Sequence, residues 1–267
     1  HIHKGRERTH FKRGVEIGYT DSYVIFEDAF IPWERVFLCG ENLHGGACAL
    51  LFALFHRHSY SGCKPAIGDA ILGFASMAAK INGIKKPPHV RELLSEIIKV
   101  TELGYAAGYT ASAMAKPEIY VPGFGTVPYG PGGYIPNSIY ANVGRCLTGE
   151  SVFHEQEILC KIAGGIPATF PYEEDLANPE TKALLEKYLT RNPKIPIEDQ
   201  IKFWLTFIDF TCSGDSGVIN YGNYHGGGSP IMEQILITGQ YDIALREHLA
   251  RYLSGIETLK PGSLTKF

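Results

Sequence analysis

Residues 92–110 read ELLSEIIKVTELGYAAGYT, with Leu93, Leu94, Ile97 and Ile98 at helical spacing and charged residues on the other face. Pro87-Pro88 open this helix, and Asn82-Gly83 close the one before it. The pattern holds outward in both directions. From Ala47 onward the chain reads as helical, up to a Gly/Pro/Tyr-rich loop over Pro122–Pro136. Asn137–Ala163 is helical again and ends at Gly164-Gly165, and Pro179–Leu189 forms a short polar helix. Ile201, Trp204, Leu205, Ile208 and Cys212 mark a further apolar stripe. The last helix opens at Ser229-Pro230 and runs to about Leu253. The sum is a mainly α chain, a bundle of roughly five or six helices. Residues 14–38 differ. Their aromatic and β-branched runs (Tyr23-Val24-Ile25-Phe26, Ala29-Phe30-Ile31, Val36-Phe37-Leu38) predict short strands, which need a larger sheet to be stable.

The 267 residues, 45% hydrophobic and 20% charged, suffice for one helical domain with a core and a small appendage. A formal charge of -3 offers no footprint for nucleic acid. Basic residues do cluster in residues 1–13, a partner-facing or flexible arm. The six cysteines lack any CxxC pair, so reduced thiols are expected, and Cys39, Cys48, Cys146, Cys160 and Cys212 are expected to pack as small apolar residues. Trp33 and Trp204 are assigned to core or interface. The apolar run at Ala47–Phe55 is too short to span a bilayer, and the N-terminal residues lack an apolar signal region. A cytoplasmic protein without membrane contact is expected.

The richest chemistry lies in His56-Arg57-His58-Ser59-Tyr60-Ser61-Gly62-Cys63-Lys64-Pro65. On a helix His56 and Cys63 share a face about 10 Å apart along the axis, too far for one zinc ion. A multi-iron cluster is a wider target, and Gly62 and Pro65 offer places to bend the chain towards it; imidazole and thiolate are both iron ligands. The alternative is a buried cysteine beside a surface histidine.

The run HRHSYSGCKPAIGDAILG, residues 56–73, resembles the central helix of the 4-hydroxybutyryl-CoA dehydratase family, in the superfamily of the flavin-dependent 4-hydroxyphenylacetate hydroxylases and acyl-CoA dehydrogenases. YVIFEDAFIPWERVFLCGE before it, and IAGGIPATFPYEEDL and HGGGSP after it, extend the resemblance over nearly the whole chain from about Gly14. The resemblance implies an acyl-CoA dehydrogenase-like C-terminal helical bundle over residues 41–267, preceded over 14–40 by the last strands of a middle β-domain. It implies FAD and a [4Fe-4S] cluster held by three cysteines and one histidine, with His56 and Cys63 as two of the four ligands. Tyr60 and Lys64 match active-site residues of the family, and Asp21 stands where it has a glutamate. The His-x6-Cys-Lys element is the specific part, because the hydroxylases are not expected to carry the cluster cysteine.

Further roles follow from the same resemblance. Arg57 and Ser59 become flavin contacts, although a surface ion pair is the plain alternative for Arg57. Gly164 and Gly165, first a helix cap, would approach the FAD of a neighbouring subunit. Gly226, Gly227, Gly228 and Ser229 form a glycine-rich turn into a helix, whose N–H groups favour a flavin or CoA phosphate. His225 would carry a proton or serve the structure alone. A second family glutamate falls on Gly222, which removes one acid/base. The implied activity is radical dehydration of a hydroxyacyl-CoA, in which loss of the Cα proton and one electron to FAD gives an enoxy radical. A second chain would supply the N-terminal helical and middle β regions with the remaining cluster cysteines, in a higher hetero-oligomer. The competing readings are a flavin-dependent aromatic hydroxylase-like oxidoreductase and a non-catalytic paralogous scaffold.

Overall fold

The computed structural model describes residues 22–121 and 124–256. Asp21 and the basic arm over 1–13 lie outside the described residues.

A 40-residue helix, α1 (Asn42–Ile81), organises the molecule. It runs unbroken through Gly62 and Pro65, so neither bends the chain out of the helix as the sequence had allowed. It stops at Asn82, where Gly83 takes φ +72 and the Asn82 side chain donates to the carbonyls of Ile162 (3.1 Å) and Ala163 (3.3 Å). The chain returns as α2 (Pro88–Ala113), opened by proline at its first turn as the sequence predicts. A hairpin follows, β1 (Glu118–Val121) with β2 (Gly125–Pro128), in antiparallel register from Glu118 opposite Pro128 to Val121 opposite Gly125. The expected loop over 122–136 is therefore partly strand.

The predicted helix over 137–163 is two, α3 (Ser138–Glu150) and α4 (Val152–Ala163), separated at Ser151. Short α5 (Ile166–Thr169) and α6 (Glu173–Ala177) lead to α7 (Pro179–Leu189), which matches its predicted bounds. Then come α8 (Ile197–Cys212), α9 (Gly214–His225), α10 (Pro230–Gln240) and α11 (Ile243–Leu253). The last predicted helix is thus also two, broken where Asp242 caps α11 by accepting from Leu245 N.

The core gathers at the C-terminal half of α1. Ile71, Ala75, Ala78 and Ile81 pack on Val90 and Ile97 of α2, Ile158, Leu159 and Ile162 of α4, and Trp204 and Phe207 of α8. A smaller cluster, Leu54, Ala111, Ile135 and Ala141, supports the other half of α1.

Residues 22–40 depart from the sequence expectation. They contain one 3-10 turn, Trp33–Arg35, and no strand, and Tyr23, Phe26, Phe30, Trp33 and Phe37 are exposed. Strand-prone residues pair only when a neighbouring strand offers its backbone, and none of the described residues does so here. Cys39, Cys48, Cys160 and Cys212 are exposed rather than packed; Cys146 is buried as expected. Among the described residues no helix is long and apolar enough to cross a membrane.

Candidate functional site

The site forms where the middle of α1 meets α3 and the glycine turn between α9 and α10. His56, Tyr60 and Cys63 follow one stripe of α1, at steps of four and three residues. His56 is half-buried between the rings of Phe52 and Tyr60, whose centroids lie 5.8 and 4.9 Å away. Cys63 is exposed, its thiol turned back towards Ser59 O at 3.7 Å. Ser59 is exposed and donates to His56 O (2.7 Å). His58, off this face, ties α1 to α2 through Ser112 Oγ at 2.9 Å.

Behind the stripe the helix buries two basic side chains. Arg57 donates from Nε to Gly227 O (2.8 Å) and from Nη1 to Asn142 Oδ1 (2.8 Å). Burial lowers its pKa, and Glu233 opposes that shift. Lys64 donates from Nζ to Asn223 O (2.9 Å) and, more closely, to Asn223 Oδ1. Its pKa falls to about 7, through burial first and the nearby Arg145 second. A cavity of about 10 Å³ touches Lys64, Thr101, Thr148, Glu155 and Asn223, room for about one water. Glu155, buried there, is raised to about 7 by desolvation, against the pull of Lys64.

Three residues here were not singled out from the sequence. Arg145 of α3, 1% exposed, reaches across to donate to Tyr224 O (3.0 Å) and stands 3.8 Å from Glu233 Oε1. Glu233 of α10, fully buried, sits at the same 3.8 Å from Arg57, and desolvation raises its pKa. Glu155 completes the set. An arginine in NVGRCLTGE and a glutamate in the first turn of α10 both read as surface residues from sequence alone. The one usable signal was the density of nearby glycines.

Those glycines act as a mould. A Cβ at Gly226 would overlap the Tyr60 hydroxyl, one at Gly227 would overlap Arg145 Nε, and one at Gly228 would lie 2.9 Å from Arg57 Nη2. Gly149 likewise makes room for Arg145 Nη1. Gly228 also needs its positive φ of +103. Each glycine of HGGGSP therefore has a reason within the chain, beside any ligand it would meet. His225 and Ser229 stand exposed at the rim, with the Tyr224 ring 4.8 Å from the histidine. Gly222 lies within α9 and its carbonyl accepts from Gly226 N (2.8 Å).

Gly164 and Gly165 are not part of this cluster. They cap α4 beside Asn82, at the far end of α1, about 39 Å along the helix axis from His56. An open apolar cleft of about 560 Å³ is nearer, between the first turns of α1, the hairpin and α10, lined by Leu43, Ala47, Leu50, Phe124 and Leu236. Its edge at Leu50 is about 9 Å from His56 along the axis.

This long-helix bundle, with a polar seam against a glycine turn, defines the C-terminal helical region of an acyl-CoA dehydrogenase-like fold. Residues 46–255 match the family model HpaB, 4-hydroxyphenylacetate 3-hydroxylase C terminal, and the chain belongs to that family. It is 30% identical over 251 residues to the 4-hydroxybutyryl-CoA dehydratase/vinylacetyl-CoA-Delta-isomerase of Clostridium aminobutyricum, covering 91% of this chain and 49% of that protein. Against the 4-hydroxyphenylacetate 3-monooxygenase oxygenase component of Thermus thermophilus it is 31% identical over 196 residues, 73% of this chain and 38% of the relative. Among solved structures, an oxygen-tolerant archaeal 4-hydroxybutyryl-CoA dehydratase from N. maritimus superposes with TM-score 0.75 at 27% identity, over 88% of this chain and 45% of that one. The HpaB oxygenase complexed with FAD and 4-hydroxyphenylacetate gives 0.70 at 25%, over 87% and 48%. The chain spans about half the length of the relatives it matches, or less.

Proposed function

We propose that this chain forms the C-terminal half of a FAD- and [4Fe-4S]-dependent hydroxyacyl-CoA dehydratase site. The observation that carries the reading is the α1 stripe, where an imidazole, a phenol and an exposed thiol stand at successive turns with Lys64 buried alongside. His56 and Cys63 have the donor chemistry of cluster ligands and neither is consumed by the core. They are two donors of four, and no group of three His, Cys, Asp or Glu is placed for a metal among the described residues. The remaining ligands would come from cysteines of another chain or region, corresponding to the half of the relatives that this sequence does not match. The same surface would cover the exposed aromatic residues of 22–40 and build the hetero-oligomer.

When bound, FAD would supply a one-electron acceptor and the cluster a Lewis-acidic iron. The chain's own side chains do the rest. Tyr60 presents its hydroxyl at Gly226, Lys64 holds an amine beside it that can give or take a proton near neutral pH, and His225 offers an exposed proton carrier on the turn. Arg57 would serve flavin binding indirectly, by fixing Gly227, while Ser59 and Ser229 remain open to contact it. The apolar cleft would take the hydrocarbon part of the thioester.

An aromatic hydroxylase using FAD alone is the second reading, favoured by the description of the matching family and by the FAD-bound oxygenase structure. Protein purified without oxygen from its native cells separates the two. Flavin together with iron and sulfide is expected, with iron lost in Cys63→Ser and His56→Ala but kept in Cys146→Ser and Cys212→Ser. Flavin with no iron would overturn the dehydratase reading in favour of the hydroxylase.

A further inference from the structure

Tyr60 is held by more than its own helix. The Arg145 guanidinium carbon lies 4.7 Å from the Tyr60 ring centroid, and Lys64 Nζ lies 5.4 Å from it. A cation over a phenol face is attracted by the ring quadrupole, and the attraction grows when both are desolvated. Arg145 has little freedom to be elsewhere. It threads between Gly149 and Gly227, is anchored at Tyr224 O, and faces Glu233. Its Nε and Nη1 make no hydrogen bond among the described residues, and the same is true of both Glu233 oxygens. Two glycines and an ion pair without hydrogen bonds are a costly way merely to pin α3 to a turn, since an apolar side chain of that volume would pack as well. Of the contacts Arg145 makes that an apolar side chain could not (the bond to Tyr224 O, the pairing with Glu233 and the contact with the Tyr60 face), only the last reaches the α1 stripe.

We propose that Arg145, backed by Glu233, is a positioning residue that fixes the Tyr60 ring and so aims its hydroxyl at the glycine turn. Glu233 sets the position of Arg145, Arg145 sets the plane of Tyr60, and Gly226 leaves the hydroxyl its place. Lysine at this position would keep the charge but lose the guanidinium fork, which meets the ring and bonds Tyr224 O at the same time. This assignment rests on the reading of Tyr60 as an active-site residue only for its effect on rate; the ring geometry stands apart from it.

The test uses the assembled native protein with 3-fluorotyrosine at position 60 and compares Arg145→Lys with the parent. Arg246→Lys, which alters a similar stack on Tyr241 far along the chain, is the control. A single sharp fluorine resonance is expected in the parent and the control, and a shifted, broadened one in Arg145→Lys. In turnover, Arg145→Lys should lower kcat about 10- to 100-fold with KM little changed. The double variant Arg145→Lys/Tyr60→Phe should then be no slower than Tyr60→Phe alone. An unchanged resonance in a folded Arg145→Lys protein overturns the proposal, as do kcat losses that simply multiply. If the resonance moves as expected but no hydroxyacyl-CoA is dehydrated by the parent, the functional reading fails and the positioning role stands.

Discussion

The two halves of α1 treat burial in opposite ways. From Ile71 to Ile81 the helix buries only aliphatic side chains, against α2, α4 and α8. From Arg57 to Lys64 it buries two basic side chains, and the neighbouring elements answer with Glu233, Glu155, Asn142 and Asn223. Apolar contacts are non-directional and scale with volume, so the first half tolerates small losses one at a time. Buried charges depend on particular partners, so the second half is interlocked, and removing one member strands the others. One helix thus carries a half built from apolar packing and a half built from buried polar pairs.

Breaking the interlocked half should have the largest effect. Glu233→Ala leaves Arg57 and Arg145 buried as neighbouring like charges, and should cost about 3–5 kcal/mol in urea unfolding. Adding Arg57→Met should recover part of the loss, whereas a Glu233→Ala midpoint equal to the parent's would show that the bonds to Gly227, Asn142 and Tyr224 suffice to hold both guanidiniums.

Glu155 sharpens the comparison through pH. Its folded pKa is raised to about 7 from an ordinary value of 4.5, so the folded state holds the proton more tightly than the unfolded chain. Stability from this group is therefore complete below its ordinary pKa and is lost as pH climbs towards 7, by on the order of 3 kcal/mol. Glu155→Gln cannot ionise and should lack that fall. Unfolding midpoints of the two proteins at pH 5 and pH 7 check it; parallel midpoints would mean the carboxylate reaches solvent.

The apolar half should respond mildly. Ile97→Val, at a residue fully buried on α2, should cost about 0.5–1.5 kcal/mol and leave flavin content and the Tyr60 resonance untouched. A loss of flavin in this variant would show that the two halves are coupled.

The same division decides what could be read in the sequence. The C-terminal end of α1, the start of α2 and both ends of α7 were legible because Gly83, Pro88 and Pro179 punctuate locally, whereas α1 begins at Asn42 rather than Ala47. The breaks at Ser151 and Tyr241-Asp242 were not, because helical periodicity continues on both sides of each. The hairpin was hidden by strands of four residues amid glycine and proline. His56 and Cys63 stood out as candidates by residue type and spacing, and Tyr60 and Lys64 only through the family resemblance. Arg145, Glu155 and Glu233 were not, because their burial depends on elements far apart in sequence, and a charged residue on a helix reads as surface until its neighbours are known. The strand-like residues of 22–40 failed in the opposite sense, with the right composition but no partner strand among the described residues.

The smallest expected effect lies on the outside of the apolar half, where α2 and α4 meet. His154 Nε2 is 2.6 Å from Glu96 Oε2, and its Nδ1 is 3.1 Å from Glu157 Oε2. Both contacts are hydrogen bonds only when both ring nitrogens carry a proton, that is, in the imidazolium. The bond to Glu96 is the main reason the histidine's pKa is raised, and the bond to Glu157 the next. Glu96 is correspondingly lowered by His154, and Glu157 by Lys161 first and His154 second. The histidine's contribution is therefore full below its ordinary pKa of 6.5 and disappears as pH rises through the raised value. At the acid end the bridge is lost as the carboxylates protonate. All three side chains are substantially exposed, so solvent and salt screen the bridge. His154→Gln should lower the melting temperature slightly at pH 6 in low salt, and have no effect at pH 9 or in 1 M salt. Ring NMR titration of His154 gives the same answer directly, and an ordinary histidine value would show that the carboxylates do not hold the ring in solution. His154 also lowers the pKa of the adjacent buried Glu155, a minor cause beside its desolvation and Lys64, so loss of the bridge should leave the Tyr60 ring in place, which the fluorine resonance at position 60 would report.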